Sequence, residues 1–316
     1  SRESIDISNN AMEESCCTAK PPASAPSAAA PPLGAFDELH KKTSDVFPMC
    51  FEGAKIMVQK GLSSHFQINH TLSMSSMNNG YRFGAVYAGS SQKSDSEAFP
   101  VLIGDTNALG QTQGTLIHQF MHKYRIRLTA QTRLDSIDGG VTLERRGTHN
   151  TIALSVNSPN IIRDTGIAAF SYMQRVTKNI DAGVEYVSIH SPQIPGGSMN
   201  VTSFGLRYSA DFFTAAATAG KDTSHFSYYH KQAENLEFGV EFQMNRLHKD
   251  SVATLAYHAS LPEEGVSMRA SVDTNWTVGG VLEKRLSQAL PFTFALSGLV
   301  NHTENKAKFG VGLIIG

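Results

Sequence analysis

The residues that most resemble chemical machinery lie at the end of the sequence. Gly310 to Gly316 reads GVGLIIG, and its G-x-G-x-x-x-G spacing is close to a dinucleotide fingerprint. That fingerprint works only when a helix follows and turns its free amides toward the pyrophosphate. The sequence stops there instead, so the glycines are expected at inward-facing strand positions and the nucleotide reading is set aside. The twelve histidines are scattered. His65 and His70, or His118 and His122, would have metal-ligand spacing on a helix, but both pairs fall in strand-like sequence. Cys16, Cys17 and Cys50 show no ligand or redox spacing, and an odd count argues against a disulfide framework. They are expected to be free thiols in a reducing compartment. Ser, His and Asp are abundant, yet no G-x-S-x-G elbow and no Cys/His arrangement accompanies them. No catalytic residues, metal site or cofactor is expected, and the chain is read as a protein other than an enzyme. Four N-x-[ST] sequons, at Asn69, Asn200, Asn275 and Asn301, lie in or near strand-like sequence and are read as incidental.

The elements that would position any such residues follow from periodicity. After Gly53 the hydrophobic period becomes two and stays there. In Asn235–Met244 the apolar Leu236, Phe238, Val240, Phe242 and Met244 alternate with Glu237, Gly239, Glu241 and Gln243. Tyr124–Thr132 and Ala307–Ile315 repeat the pattern, as do Ser64–Met74, Tyr81–Tyr87, Ile180–Tyr186, Val266–Val272 and Phe292–Val300. Successive side chains of a strand point to opposite faces, so each segment has an apolar side and a polar side. Turn chemistry separates them at Asn78-Asn79-Gly80, Asp138-Gly139-Gly140, Pro195-Gly196-Gly197 and Pro262–Gly265. Upstream, Phe36–Phe47 places Phe36, Leu39, Val46 and Phe47 on one face, with Asp37 and Glu38 early and Lys41 and Lys42 later. One helix of about three turns is expected there, stopped by Pro48. The Pro/Ala/Ser run from Pro21 to Pro32 cannot pack a core and is expected to be disordered or extended. The divisions are a tail over 1–35, a helix over 36–48 and a sheet domain over 49–316.

Composition narrows what such a sheet can be. Hydrophobic residues make up 41% and charged residues only 17%, the deficit being filled by small polar residues and glycine. A net charge of −1 provides no field to attract nucleic acid. No stretch reaches the roughly 18 apolar residues of a spanning helix, which leaves membrane strands open. Neither a secretory core nor an Arg-rich presequence precedes Leu33, and trimming before Ser1 is expected. Roughly 260 residues divided by about 13–14 per strand and turn gives about 19 strands, because a tilted spanning strand uses ~9–11 residues. So many strands with no intervening helices avoid exposed edges by closing. Aromatic residues near strand ends (Tyr81, Tyr87, Tyr124, Tyr172, Tyr208, Tyr257, Trp276) fit interfacial girdles. The fold expected is all-β, a closed transmembrane β-barrel of about 19 strands, with a soluble all-β protein as the alternative.

If the apolar face meets lipid, the polar face lines a lumen. It then carries Glu144, Asp181, Glu185, Glu237, Glu241, Asp273 and Glu283, together with Lys55, Arg125, Arg127, Arg133, Arg146, Arg269 and Lys308. These charges either keep a wet lumen solvated or, in the case of the acids, form a low-affinity track for a cationic polypeptide. Attraction in a low-dielectric channel exceeds that in bulk water, and several weak sites allow both capture and release.

Several blocks resemble the pore-forming subunit of the translocase of the outer mitochondrial membrane. They are Phe47–Ser73, Glu97–Asp105, Tyr228–Phe242, Ser271–Leu286 and the terminal GVGLIIG, in the same order over about 280 residues from Phe36. The resemblance implies a 19-stranded barrel whose first and last strands pair in parallel, with the N-terminal helix in the lumen. It implies insertion into the mitochondrial outer membrane through a C-terminal signal that here matches Lys308, Gly310, Leu313 and Ile315. It also implies a passive channel for unfolded, presequence-bearing precursor polypeptides. The implied partners are a single-span receptor, small helical subunits, commonly a second barrel, and the lipid bilayer. A metabolite porin like the voltage-dependent anion channel, a relative of similar architecture, is the alternative, and its basic lumen would favour anions.

Overall fold

The computed structural model describes residues 33–316 apart from 77–78, 95–96, 122, 134–135, 161–164, 193, 195–196 and 287–290. The tail read at 1–35 and two turn signals, at Asn78 and at Pro195-Gly196, therefore lie mostly or partly outside the described residues. Past Cys50 the chain forms nineteen strands. They are β1 (Gly53–Gly61), β2 (Phe66–Met74), β3 (Gly80–Ser94), β4 (Glu97–Asn107), β5 (Thr112–Phe120), β6 (Tyr124–Arg133), β7 (Ser136–Arg146), β8 (Asn150–Asn160), β9 (Thr165–Arg175) and β10 (Ile180–His190). They continue as β11 (Ser198–Ser209), β12 (Phe213–Gly220), β13 (Thr223–Ala233), β14 (Leu236–Asn245), β15 (Asp250–Leu261), β16 (Val266–Asp273), β17 (Thr277–Arg285), β18 (Phe292–Asn301) and β19 (Lys306–Ile315).

Each strand pairs antiparallel with the next, and β1 pairs with β19, so the sheet closes on itself. Alternating direction around an odd number of strands leaves the first and last pointing the same way. The closing pair is accordingly parallel, with Gly53 opposite Gly310 and Val58 opposite Ile315. Closure leaves no edge with unpaired amides, the condition for a sheet to sit in hydrocarbon.

The two faces are sorted as the alternation requires. Phe204, Phe226, Val240, Leu255, Leu296 and Val311 are all exposed on the outside. Exposed aliphatic and aromatic side chains in such number are tolerable only against lipid. Tyr81 and Tyr124 open β3 and β6, Tyr172 and Tyr208 lie near the ends of β9 and β11, and Trp276 sits in the turn before β17. The girdle expectation fails at Tyr87 and Tyr257, which are well inside β3 and β15.

Two local expectations are corrected. Asp138-Gly139-Gly140 does not turn the chain but runs through β7, because its neighbours on β6 continue the ladder past it. The helix over 36–48 is broken into a 3₁₀ turn at Phe36–Glu38 and a single α-helical turn, α1, at Lys41–Ser44. Packing explains the break. Phe36 and Leu39 press on the wall at Gly205, whereas Thr43 and Val46 press at Gly239, three strands further round. The segment follows the curved wall, and so short a helix gains little from staying regular.

Candidate functional site in the barrel lumen

Contacts of the segment Leu33–Ser44 identify the inner face of the wall. The Thr151 hydroxyl donates to the Leu33 carbonyl at 2.9 Å, and Arg146 pairs with Glu38 at 2.9 Å. Lys42 donates to Thr214 at 3.3 Å, and the Ser44 hydroxyl donates to Glu241 at 3.0 Å. His40 lies between Ser227, 2.6 Å from its Nδ1, and Thr218, 3.2 Å from its Nε2, with its ring stacked 3.8 Å from that of His225. Beneath these polar contacts, Leu33, Phe36 and Leu39 form a small core with Met173 and Ala216. Gly205 and Gly239 permit the approach: a Cβ on Gly205 would lie 2.6 Å from Leu39, and one on Gly239 would lie 3.2 Å from Thr43. The segment is thus a strap held against the inner wall of β7–β14.

From that face, register places the predicted acids. Glu144 is buried beside Arg146 at 2.9 Å. Asp181 is buried between Arg175 at 3.2 Å and Arg207 at 2.7 Å. Glu185 lines a cavity of about 280 Å³ with Asp37, Glu144, Arg127 and Ser171. Glu237 faces His258 at 3.4 Å, and Glu241 faces His225 at 3.7 Å as well as Ser44. Glu283 shares its face with Ser267 and Ala295. Asp273 is at the end of β16, where one carboxylate oxygen accepts amides from Asn275 and Thr277 at 2.9 and 2.8 Å; it shapes a turn. The seven acids do not form one row. Glu144 and Asp181 are neutralised by arginine, Glu237 and Glu241 face histidine, Glu185 shares a cavity with Asp37 of the strap, Asp273 shapes a turn, and Glu283 stands beside Ser267 and Ala295.

The predicted bases with described side chains occupy the same lumen. Arg125 and Arg127 project from β6, with Arg125 opposite Glu144 in register and its guanidinium 5.3 Å from the Phe99 ring. Lys55 lines a second polar cavity of about 590 Å³ with Asn69, Arg82, Asp105 and Asn107. Arg269 opposes His258, and Lys308 pairs with Glu52 at 3.3 Å. The Arg133 side chain lies outside the described residues. Of the four residues expected to form a terminal signal, Lys308 and Gly310 fall on the inner face of β19, and Leu313 and Ile315 on the outer. Asn69, Asn200 and Asn301 are in strands, and Asn275 is in a turn. No group of three or more His, Cys, Asp or Glu side chains is arranged to hold a metal among the described residues. Cys50 is a free thiol, and Cys16 and Cys17 lie outside the described residues.

Sequence reasoning missed the strap's own contribution. Asp37 and Glu38 had been read only as residues suited to a helix start. Burial, then Glu38 and Glu144 nearby, push the Asp37 carboxyl above its usual value. Burial opposes charge on Glu38 as well, but Arg146 outweighs it and holds that carboxyl below its usual value. Burial, then the neighbouring His225, depress His40 to about 4, leaving it neutral at physiological pH. Arg175 and Arg207 were missed too, although their inward register opposite Asp181 could have been found by aligning strand parities.

Residues 32–310 match the family profile of the eukaryotic porins. The chain is 53% identical over 284 residues to the mitochondrial import receptor subunit TOM40 homolog of Caenorhabditis elegans, a match covering 90% of this chain and 94% of that one. It is 40% identical over 285 residues to TOM40 homolog 2 of Drosophila melanogaster, covering 90% and 84%. With the TOM40 homolog of Homo sapiens it shares 37% identity over 288 residues, covering 90% and 79%. A closed barrel of nineteen strands, a strap inside it and these likenesses together place the chain in the eukaryotic porin family, in the group of the TOM40 homologues.

Proposed function

We propose that this chain is the protein-conducting channel through which unfolded, presequence-bearing precursors cross the mitochondrial outer membrane. The observation that carries the reading is a closed barrel of nineteen strands with a charged inner wall, in a chain related to mitochondrial import receptor subunits over 90% of its length. A barrel of more than 16 strands leaves an aqueous channel. An α-helix with its side chains is ~10–12 Å across, so a helix or an extended segment can pass where a folded domain cannot. Selection is by width, and conduction is passive.

Cargo with Lys and Arg on one face would be guided by the lumen acids. The strongest candidates are Glu185, Glu237 and Glu241, which have no arginine partner among the described residues. Asp181 and Glu144 serve instead to hold arginines and the strap. The apolar outer wall faces the bilayer and offers docking for a single-span receptor, small helical subunits and a second barrel. Reconstitution into planar bilayers tests the reading. In a salt gradient the reversal potential is expected to show cation preference, and a synthetic presequence is expected to block the current. The combined variant Glu185→Gln, Glu237→Gln, Glu241→Gln should weaken that block. Strong anion preference would favour a metabolite porin, and unchanged block in the triple variant would remove the acidic track while leaving the pore.

A further inference from the structure

Gly310 and Gly312 lie on the seam where the barrel closes. Parallel pairing of β1 with β19 brings together two strands whose register is weakly fixed by side chains, because β19 carries glycine at 310 and 312. A slip of two residues would keep every face correct and still close the barrel. The residues just before β1 distinguish the registers. Gly53 has φ +81°, a conformation that suits glycine, and there the chain leaves the strand and crosses the inner face of the last hairpin. Phe51 then sits on the two glycines. A Cβ on Gly310 would lie 2.4 Å from the Phe51 carbonyl oxygen and 2.7 Å from its ring, and one on Gly312 would lie 3.1 Å from the ring. The Phe51 amide donates to the Ser297 hydroxyl at 2.8 Å, and Ser297 is the register partner of Gly310 on β18. Glu52 pairs with Lys308 at 3.3 Å.

We propose that Phe51–Gly53 is a closing clamp that selects the register of the β1–β19 seam, with the glycine pair 310/312 as its socket. The inner face of β19 reads Lys308, Gly310, Gly312, Ile314, so the ring has only one place to lie flat. Moved two residues back, Phe51 would meet the Lys308 side chain. Moved two residues forward, it would meet Ile314. Either slip also breaks the Ser297 bond and separates Glu52 from Lys308. The strands provide the hydrogen bonds of closure, and the clamp determines which set of them forms.

Disulfide trapping across the seam tests this in the full chain, with Cys16, Cys17 and Cys50 replaced by serine and the barrel refolded into detergent or liposomes. Ile56→Cys is combined in turn with Val311→Cys, Leu313→Cys and Ile315→Cys. With the clamp intact, the cross-link is expected at Leu313, the register partner, and to be lost at the other two positions. Moving the socket with Gly310→Leu and Ile314→Gly should shift the cross-link by two residues, to Ile315. The milder Phe51→Leu and Ser297→Ala pair should spread cross-links over all three positions in protease-resistant barrels. Retention of the Leu313 cross-link alone in folded barrels of both variants would overturn the clamp. So would a socket-shifted chain that fails to fold, if the milder pair still gave only the native cross-link.

Discussion

His40 carries a hydrogen-bonding task that needs its neutral form. Ser227 and Thr218 bracket the ring, and His225 stacks on it. The titratable groups that act on it are His225 on β13 and Glu241 on β14. Two imidazolium rings stacked 3.8 Å apart would repel each other, and only Glu241 is placed to offset them. His40 titrates near 4 when docked and near 6.5 when free, so the undocked strap binds more protons between those values. Docking is therefore at full strength above 6.5 and weakens as the pH falls toward 4. Asp37, raised above its usual value, acts in the opposite sense and favours docking on acidification. A nitroxide on the exposed Lys41→Cys should accordingly gain mobility in EPR spectra between pH 6.5 and 4. His40→Gln should flatten or invert that dependence, and a pH-independent spectrum in the unsubstituted strap would refute it. Asp181 and Glu185 have different jobs at the same scale. Asp181→Asn takes the carboxylate charge away from Arg207 and Arg175 together, and loss of one partner from a buried ion pair costs about 3–5 kcal/mol. Glu185→Gln strands no arginine. Thermal unfolding in detergent should therefore fall clearly for Asp181→Asn and little for Glu185→Gln, with presequence block following the reverse order.

At the level of elements, legibility depended on whether a residue's task was local. Strand alternation is a property of one segment, so β6, β14 and β19 could be read directly from Tyr124–Thr132, Asn235–Met244 and Ala307–Ile315. The strap was half legible. Its apolar residues marked a helix, but the break between Phe36–Glu38 and Lys41–Ser44 is set by Gly205 and Gly239, more than 160 positions away. The partners of the acids are near in sequence, Arg146 two residues from Glu144 and Arg175 and Arg207 6 and 26 from Asp181, but strand parity is needed to see them. Arg146 shares the face of Glu144 on β7 itself, whereas only the register of β9 through β11 sets Arg175 and Arg207 opposite Asp181. Asp138-Gly139-Gly140 misled because glycine beside aspartate is turn chemistry in most contexts. Within β7 the ladder with β6 overrides it. Turns whose chemistry is self-contained were read well, as at Pro262–Gly265, where the Gly265 amide reaches back to the Pro262 carbonyl.

For the whole molecule, the strap sets the usable width of the channel. Its polar contacts run from β7 and β8 to β12–β14, so cargo is left the lumen beside the opposite wall, built of β1 to β6. That wall presents Lys55, Arg82, Asp105, Asn107 and Gln111 around its own polar cavity. Passing chains would therefore slide between a mixed-charge wall and the exposed side of the strap, where Asp37 and Glu185 lie close together. Removing residues 33–47, with the clamp at Phe51–Gly53 kept, should do two things together. Single-channel conductance and the size of neutral polymer that still enters should both increase, because the strap no longer occupies the lumen. The barrel should also unfold at lower temperature, because Arg146 and Glu241 lose partners and the small core around Leu33, Phe36 and Leu39 disappears. Burying an aliphatic or aromatic side chain contributes about 1.5–3 kcal/mol, so losing three of them is within reach of a melting experiment. A wider channel of unchanged stability would mean that the strap only fills space. Unchanged conductance with lowered stability would mean that it braces the wall without narrowing the path.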